Sequence, residues 1–261
     1  MRILRLLHFS PSSATGRHDS HRASLAFVWF AREAVNEAGV DIAVELVWAL
    51  PAITSTSRVH ELLSTADLLV LASPTYAQGS PWFVRRFLEL GAGLQLWGKL
   101  GTAFATAGGQ NTGGDVTVAD TLRSWTGLGM CVFTFAQKHV VFGAQQKFAA
   151  DGEFELIDVW FLRQLARTCV LQLLARDEPS RAGGWARRLG LETGYYNAFP
   201  TEAELGALLG AVRDRLNAPL REGEAAYGWW SGALGLEAAP PDASGLPFAG
   251  LLAEPAAATT R

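Results

Sequence analysis

The run Leu68-Leu69-Val70-Leu71-Ala72-Ser73-Pro74-Thr75-Tyr76-Ala77-Gln78-Gly79-Ser80-Pro81-Trp82-Phe83-Val84-Arg85-Arg86-Phe87-Leu88-Glu89 decides the fold. Leu68 to Ala72 is apolar without alternation, which suits a strand covered on both faces. A polar loop with Pro74, Gly79 and Pro81 stops it, and helical spacing then runs from Pro81 to Leu90. Outward from this unit the same alternation repeats. Strand-like runs lie at Ile3 to Phe9, Ile42 to Val47, Thr102 to Thr106 and Met130 to Phe135. Helical spacing fills Ser20 to Ala38, Ser57 to Thr65, Val116 to Trp125 and Phe154 to Leu174.

Strands separated by helices run parallel, because each crossover returns the chain to the same end of the sheet. The predicted fold class is therefore α/β, a doubly wound, five-stranded parallel sheet. The flavodoxin-like order 2-1-3-4-5 is expected rather than a six-stranded dinucleotide fold. In that order the ligand crevice lies beyond the carboxyl ends of strands one and three.

The chain has 261 residues, 49% of them hydrophobic and 18% charged, enough to bury one sizeable core. Residues 1–177 read as the sheet domain. Residues 178–237 read as a helical and aromatic extension, packing on that domain or on a partner subunit. It opens with a charged linker from Asp177 to Gly184, and includes a helix from Thr201 to Leu216 and the pair Trp229-Trp230. From Ala238 to Arg261, Ala, Pro, Gly and Ser dominate, as in a poorly ordered terminus.

A net charge of -3 argues against a nucleic-acid partner, which requires a concentrated surplus of Lys and Arg. Apolar runs end well short of the roughly 18 to 20 residues a membrane helix needs, so no membrane partner is expected. The short run Met1 to Leu7 carries Arg2 and Arg5 and lacks a signal-peptide cleavage pattern, which predicts a soluble, cytoplasmic protein. Cys131 and Cys169 stand alone, without metal-ligand spacing, and read as buried free thiols.

Three loops fall at the predicted crevice. The first, Ser10 to Arg22, is rich in hydroxyls and opens a helix. Its N–H groups, the positive end of the helix dipole, Ser10, Ser12, Ser13 and Ser20, with Arg22, suit a phosphate. Arg22 would add a charge-assisted bond of about 1.5 to 3 kcal/mol. The plainer alternative is that Asp19 or Ser20 caps the helix. A GxGxxG fingerprint and a P-loop are both absent.

The second loop offers Pro74, Thr75, Tyr76, Ala77, Gln78 and Gly79. Pro74 keeps Ser73 extended, Gly79 permits close approach, and Tyr76 presents an aromatic face to a flat polar ring. The third holds Thr106, Ala107, Gly108, Gly109, Gln110 and Gly113. It reads either as a surface turn or as backbone passing close to a ring edge and donating N–H groups to its carbonyls.

Ser73-Pro74-Thr75-Tyr76, Phe87-Leu88-Glu89, Gly108-Gly109 and Gly129-Met130 together resemble the tryptophan-repressor-binding-protein-like NAD(P)H:quinone oxidoreductases and NADPH-dependent FMN reductases. The likeness covers about residues 1–177. The first loop is more similar to the azoreductase-like branch, in Ser10-Pro11 and Ser20, with Arg22 where that branch has a second Ser.

The resemblance implies bound FMN, its phosphate in the first loop and its ring between the second and third. It also implies NADPH or NADH as donor, a quinone-like or other small aromatic electron acceptor, and a homodimer or homotetramer. The flavin would carry the chemistry, so no side-chain acid or base is assigned. Backbone N–H groups of residues 77–79 and 108–110 are candidates to stabilise negative charge on the reduced ring. His21 and His139 could approach the site but read more simply as surface or core groups, and Trp82, Trp97, Trp229 and Trp230 read as packing residues that could also cover a neighbouring subunit's flavin. Trp125 and Trp160 are expected on helix faces turned to the sheet or an interface. Two competitors remain, a flavodoxin-type electron carrier and a ligand-binding or regulatory protein of the same fold that has lost FMN.

Overall fold

A computed structural model describes residues 1–9, 19–76, 78–107, 113–134, 144–146, 156–191 and 201–216. In chain order these form β1 (Arg2–His8), α1 (Asp19–Ala38), β2 (Ile42–Trp48), a 3-10 turn (Leu50–Thr54), α2 (Thr56–Ser64) and β3 (Leu68–Pro74). Then come α3 (Trp82–Leu90), β4 (Leu100–Thr106), α4 (Gly114–Gly127), β5 (Cys131–Val132), β6 (Ala144–Gln146) and α5 (Leu156–Asp177). A 3-10 turn (Pro179–Arg181), α6 (Ala182–Arg188) and α7 (Glu202–Leu216) follow.

The strands pair in parallel in the order 2-1-3-4-5, as expected. The unalternating apolar strands are explained by burial on both faces. Leu4, Leu6, Leu68, Val70, Ala72, Leu100 and Phe104 pack under α1 and α5. Leu7, Leu69, Leu71, Ala103 and Ala105 pack under α2, α3 and α4. Trp125 and Trp160 are buried, Trp125 donating its indole N–H to Thr102 O at 3.3 Å. Among the described residues no helix is long and apolar enough to cross a membrane.

Three local expectations change. The fifth strand, expected as one piece from Met130 to Phe135, is split. Cys131 and Val132 face Leu100 and Gly101, and in unbroken register Phe104 would face residue 135. It faces Ala144 instead, nine residues later. The apolar run conceals this break because only two of its residues pair, at the open edge of the sheet. For the same reason Cys131 is exposed rather than buried, whereas Cys169 is buried and its thiol is pushed up by burial.

The stretch Asp177 to Gly184 is no linker. It finishes α5, turns through Pro179–Arg181 and enters α6, which seats Trp185 and Leu189 in the core beneath α1 and α5. The Arg181 guanidinium lies 4.8 Å from the Trp185 ring centroid, so the charge that suggested a linker instead covers an aromatic face. The helix expected from Thr201 to Leu216 is present as α7. It opens with Thr201 and Glu204 bonding each other's backbone N–H, at 3.2 and 2.8 Å.

Candidate functional site

The described part of the site is built where β1, β3 and β4 end. The ladder of β3 and β4 runs to Pro74 opposite Thr106, and Thr75 N–H continues it by donating to Thr106 O at 2.8 Å. The chain then closes a tight turn. Tyr76 N–H donates to Gly79 O at 3.1 Å, Gly79 N–H donates to Tyr76 O at 3.0 Å, and Gln78 adopts φ 63°. The left-handed residue is therefore Gln78, which the loop's glycine did not predict. Gly79 N–H, expected to face a ligand, is used inside the turn, while Gln78 N–H takes no part in the bridge.

Gly113 holds this turn against the third loop. Its φ is +89°, and a Cβ there would lie 2.3 Å from Gln78 O and 2.4 Å from both the carbonyl carbon and Cα of Gln78. Only glycine allows that contact. Its expected role was approach to a ring; what it approaches in this structure is backbone.

Hydroxyls brace the same junction. Thr75 Oγ1 donates to Thr117 Oγ1 at 3.2 Å, Thr117 Oγ1 donates to Gly113 O at 3.2 Å, and Ser80 Oγ donates to Thr117 O at 3.5 Å. Thr121 Oγ1 continues the row to Thr117 O at 2.9 Å. Ser80, Thr117 and Thr121 are buried, so these bonds satisfy groups that water does not reach. Neither Thr117 nor Ser80 was among the sequence candidates. The usable signal for Thr117 was its place four residues after Gly113, where a hydroxyl reaches back to the carbonyl one helical turn earlier.

Aromatic side chains face the turn from the α3 side. Phe83 is buried and meets Tyr76 edge-on at 6.3 Å between centroids, Trp82 at 5.8 Å, and Phe9, just beyond β1, at 6.4 Å in a stacked pose. Phe83 thus ties the end of β1 to the second loop. Tyr76 remains 47% exposed and Trp82 45%.

At the end of β1, His8 is buried, with its Nδ1 2.9 Å from Ser24 Oγ of α1. Ser24 Oγ donates its one hydrogen to Ser20 O at 2.7 Å, so the imidazole donates from Nδ1. His8 was also missed, although an ionisable residue closing an apolar strand is a visible anomaly.

The structure therefore brings together Pro74, Thr75, Tyr76, Gln78, Gly79, Thr106 and Gly113, with Ala107 buried beside Thr106. Ser20 is buried in the first turn of α1. Ser10, Ser12, Ser13, Ala77, Gly108, Gly109 and Gln110 lie outside the described residues, as do His139, Trp229, Trp230 and the stretch 238–261. The side chains of His21 and Arg22, both on α1, lie outside them too. Trp97 is 74% exposed, away from this junction against Gly129.

No protein-family model matches the sequence, and none of the curated proteins matches it. Among solved structures the chain is similar to an oxidoreductase from Corynebacterium diphtheriae, 17% identical over 74% of this chain and 99% of that one, with a TM-score of 0.49. It is also similar to a flavodoxin, WrbA-like protein from Agrobacterium tumefaciens, 14% identical over 68% and 99% of the two chains, with a TM-score of 0.47. Rubredoxin oxygen:oxidoreductase from Desulfovibrio gigas is 20% identical over 68% of this chain, TM-score 0.49, and the match spans 37% of that protein's length. The fold is flavodoxin-like on its own topology, an all-parallel path of five strands in the order 2-1-3-4-5 with its rim junction at the ends of β1, β3 and β4.

Proposed function

We propose that this chain is a cytoplasmic FMN-dependent NAD(P)H oxidoreductase. In this reading it passes reducing equivalents from NADPH or NADH to a quinone-like or other small aromatic acceptor, and works as a homodimer or homotetramer. The observation that carries the reading is a braced turn at the switch point of the sheet, from which a half-exposed Tyr76 ring projects.

The residues present suit a planar heterocycle. Tyr76 offers a π face, and its edge contact with Phe83 limits how the ring can turn. Gln78 N–H is left over by the bridge that uses the N–H groups of Tyr76 and Gly79, which makes it a donor for a ring carbonyl. Thr75, Tyr76, Gln78 and Thr106 would hold the ring. Ser10, Ser12, Ser13, Ser20 and Arg22 are the candidates for its phosphate. Bound FMN would supply the electron chemistry, and the chain would bind, orient and shield it. No carboxylate, histidine or cysteine stands in the described turn, so the reading assigns this chain no proton-transfer residue.

The test is a visible spectrum of the purified protein with added FMN, before and after anaerobic NADPH and NADH. One bound FMN, bleached by a nicotinamide, is the expected result, with Tyr76→Ala changing the bound flavin's spectrum and fluorescence. Absence of FMN uptake would refute the reading. Uptake without bleaching by either nicotinamide would replace it with the electron carrier.

A further inference from the structure

We propose that Arg85 is the docking point for an anionic group, carboxylate, sulfonate or phosphate, on the molecule that exchanges electrons at this site. The inference rests on the flavin reading above and names the charge class of the substrate.

Arg85 lies in the first turn of α3, three residues after the exposed Trp82. Its guanidinium Nη2 is 3.5 Å from the position of a Cβ on Gly79, so the charge lies over the Tyr76–Gly79 turn. Helical spacing offers it a partner in Glu89, four residues on. Glu89 pairs instead with Arg86, at 3.5 Å. Asp115 is the acidic residue of the first turn of the neighbouring helix α4, and it makes no ion pair with Arg85. Among the described residues no carboxylate reaches the Arg85 guanidinium.

The position is also a poor one for a cation on stability grounds. The amino end of a helix carries partial positive charge, which opposes Arg85 and favours anions. A purely structural arginine belongs at the other end of α3 or beside a carboxylate. A guanidinium that forgoes its i+4 partner, opposes the helix dipole and overhangs a turn flanked by two half-exposed aromatic rings is arranged to receive an anion attached to a flat ring. Its fork of N–H donors matches the oxygen pairs of such groups.

The test is equilibrium binding to the FMN-loaded, oxidised protein by titration calorimetry. One arm compares 1,4-naphthoquinone with 1,4-naphthoquinone-2-sulfonate, and the other compares NAD+ with NADP+. Arg85→Gln should weaken binding of at least one anionic member about tenfold, the scale of one exposed charge-assisted contact. The neutral quinone should bind parent and variant alike, and Arg85→Lys should recover part of the loss. Loss confined to the sulfonate assigns the anion to the acceptor, and loss confined to NADP+ assigns it to the donor.

Sulfonate and NADP+ binding that are both unchanged in Arg85→Gln would overturn the proposal while leaving the flavin reading intact. A protein that takes up no FMN ends the flavin reading, and this inference with it, before the titration begins.

Discussion

Replacing Gly113 by alanine tests whether the second and third loops are held together by backbone contact. Two costs add. At φ +89° an alanine is strained by about 1 to 2 kcal/mol, because its Cβ crowds its own backbone. The new Cβ would also sit 2.3 to 2.4 Å from three backbone atoms of Gln78, a contact that requires movement of about 1 Å and carries an overpacking cost of about 1 to 3 kcal/mol. Gly93 separates the two terms, since its φ of +92° is nearly the same and nothing lies within 4 Å of its Cβ position. Gly93→Ala should therefore show the strain alone. Urea unfolding of both variants should place Gly113→Ala lower by about 1 to 3 kcal/mol, the contact term. FMN titration should show weakened affinity in Gly113→Ala only, because the displaced turn carries Tyr76. Equal unfolding midpoints and equal FMN affinities in the two variants would refute the contact as the reason for the glycine.

Two further predictions concern hydroxyls and pH. Thr117→Val removes the acceptor of Thr75 Oγ1 and should destabilise the fold by about 1 to 2 kcal/mol. Thr121→Val, which removes only a bond within the helix, is the control, and an equal shift in urea midpoint would deny Thr117 its bracing role. Asp177 is held below the usual carboxylate range chiefly by the hydrogen bond from Arg176, at 2.7 Å, with Arg2 adding a second at 2.5 Å. A depressed carboxyl contributes stability that is present above its unfolded pKa of about 3.9 and is lost as pH falls through the folded value. Asp177→Asn should therefore lose stability less steeply than the parent below about pH 4, and parallel acid limbs in the two proteins would contradict the assignment.

The sequence shows the sheet more clearly than its edge. β1, β3 and β4 are legible because burial on both faces makes them apolar without alternation, and the intervening helices force them parallel. β5 falls inside the run read as the fifth strand, but its early end and the return of β6 are not legible, because a two-residue and a three-residue strand carry no periodicity and a pairing partner is a nonlocal fact. The stretch after Asp177 misleads for a related reason. Gly183 and Gly184 lower helix propensity locally, yet burial of Trp185 and Leu189 against α1 and α5 overrides it. Between β3 and α3, proline and glycine positions mark where the chain turns. Their division of labour is set by contacts between loops, which no single segment records. Gly113 reads as a ligand-facing glycine until Gln78 is seen beneath it.

The hydroxyl row on α4 shows what that contact requires of the rest of the fold. Thr117 and Thr121 lie on the buried side of the helix, where valine would match their shape and avoid burying oxygen. Threonine hydroxyls bonding back to the carbonyl four residues earlier also slightly weaken a helix. The polar choice is explained at Thr117 because its hydroxyl faces two ways, to Gly113 O within its own chain turn and to Thr75 across the loop junction. With Ser80 donating to Thr117 O, both ends of the Tyr76–Gly79 turn are tied to the first turns of α4. α4, which contributes no candidate side chain of its own, is thus the element that ties down both ends of the turn.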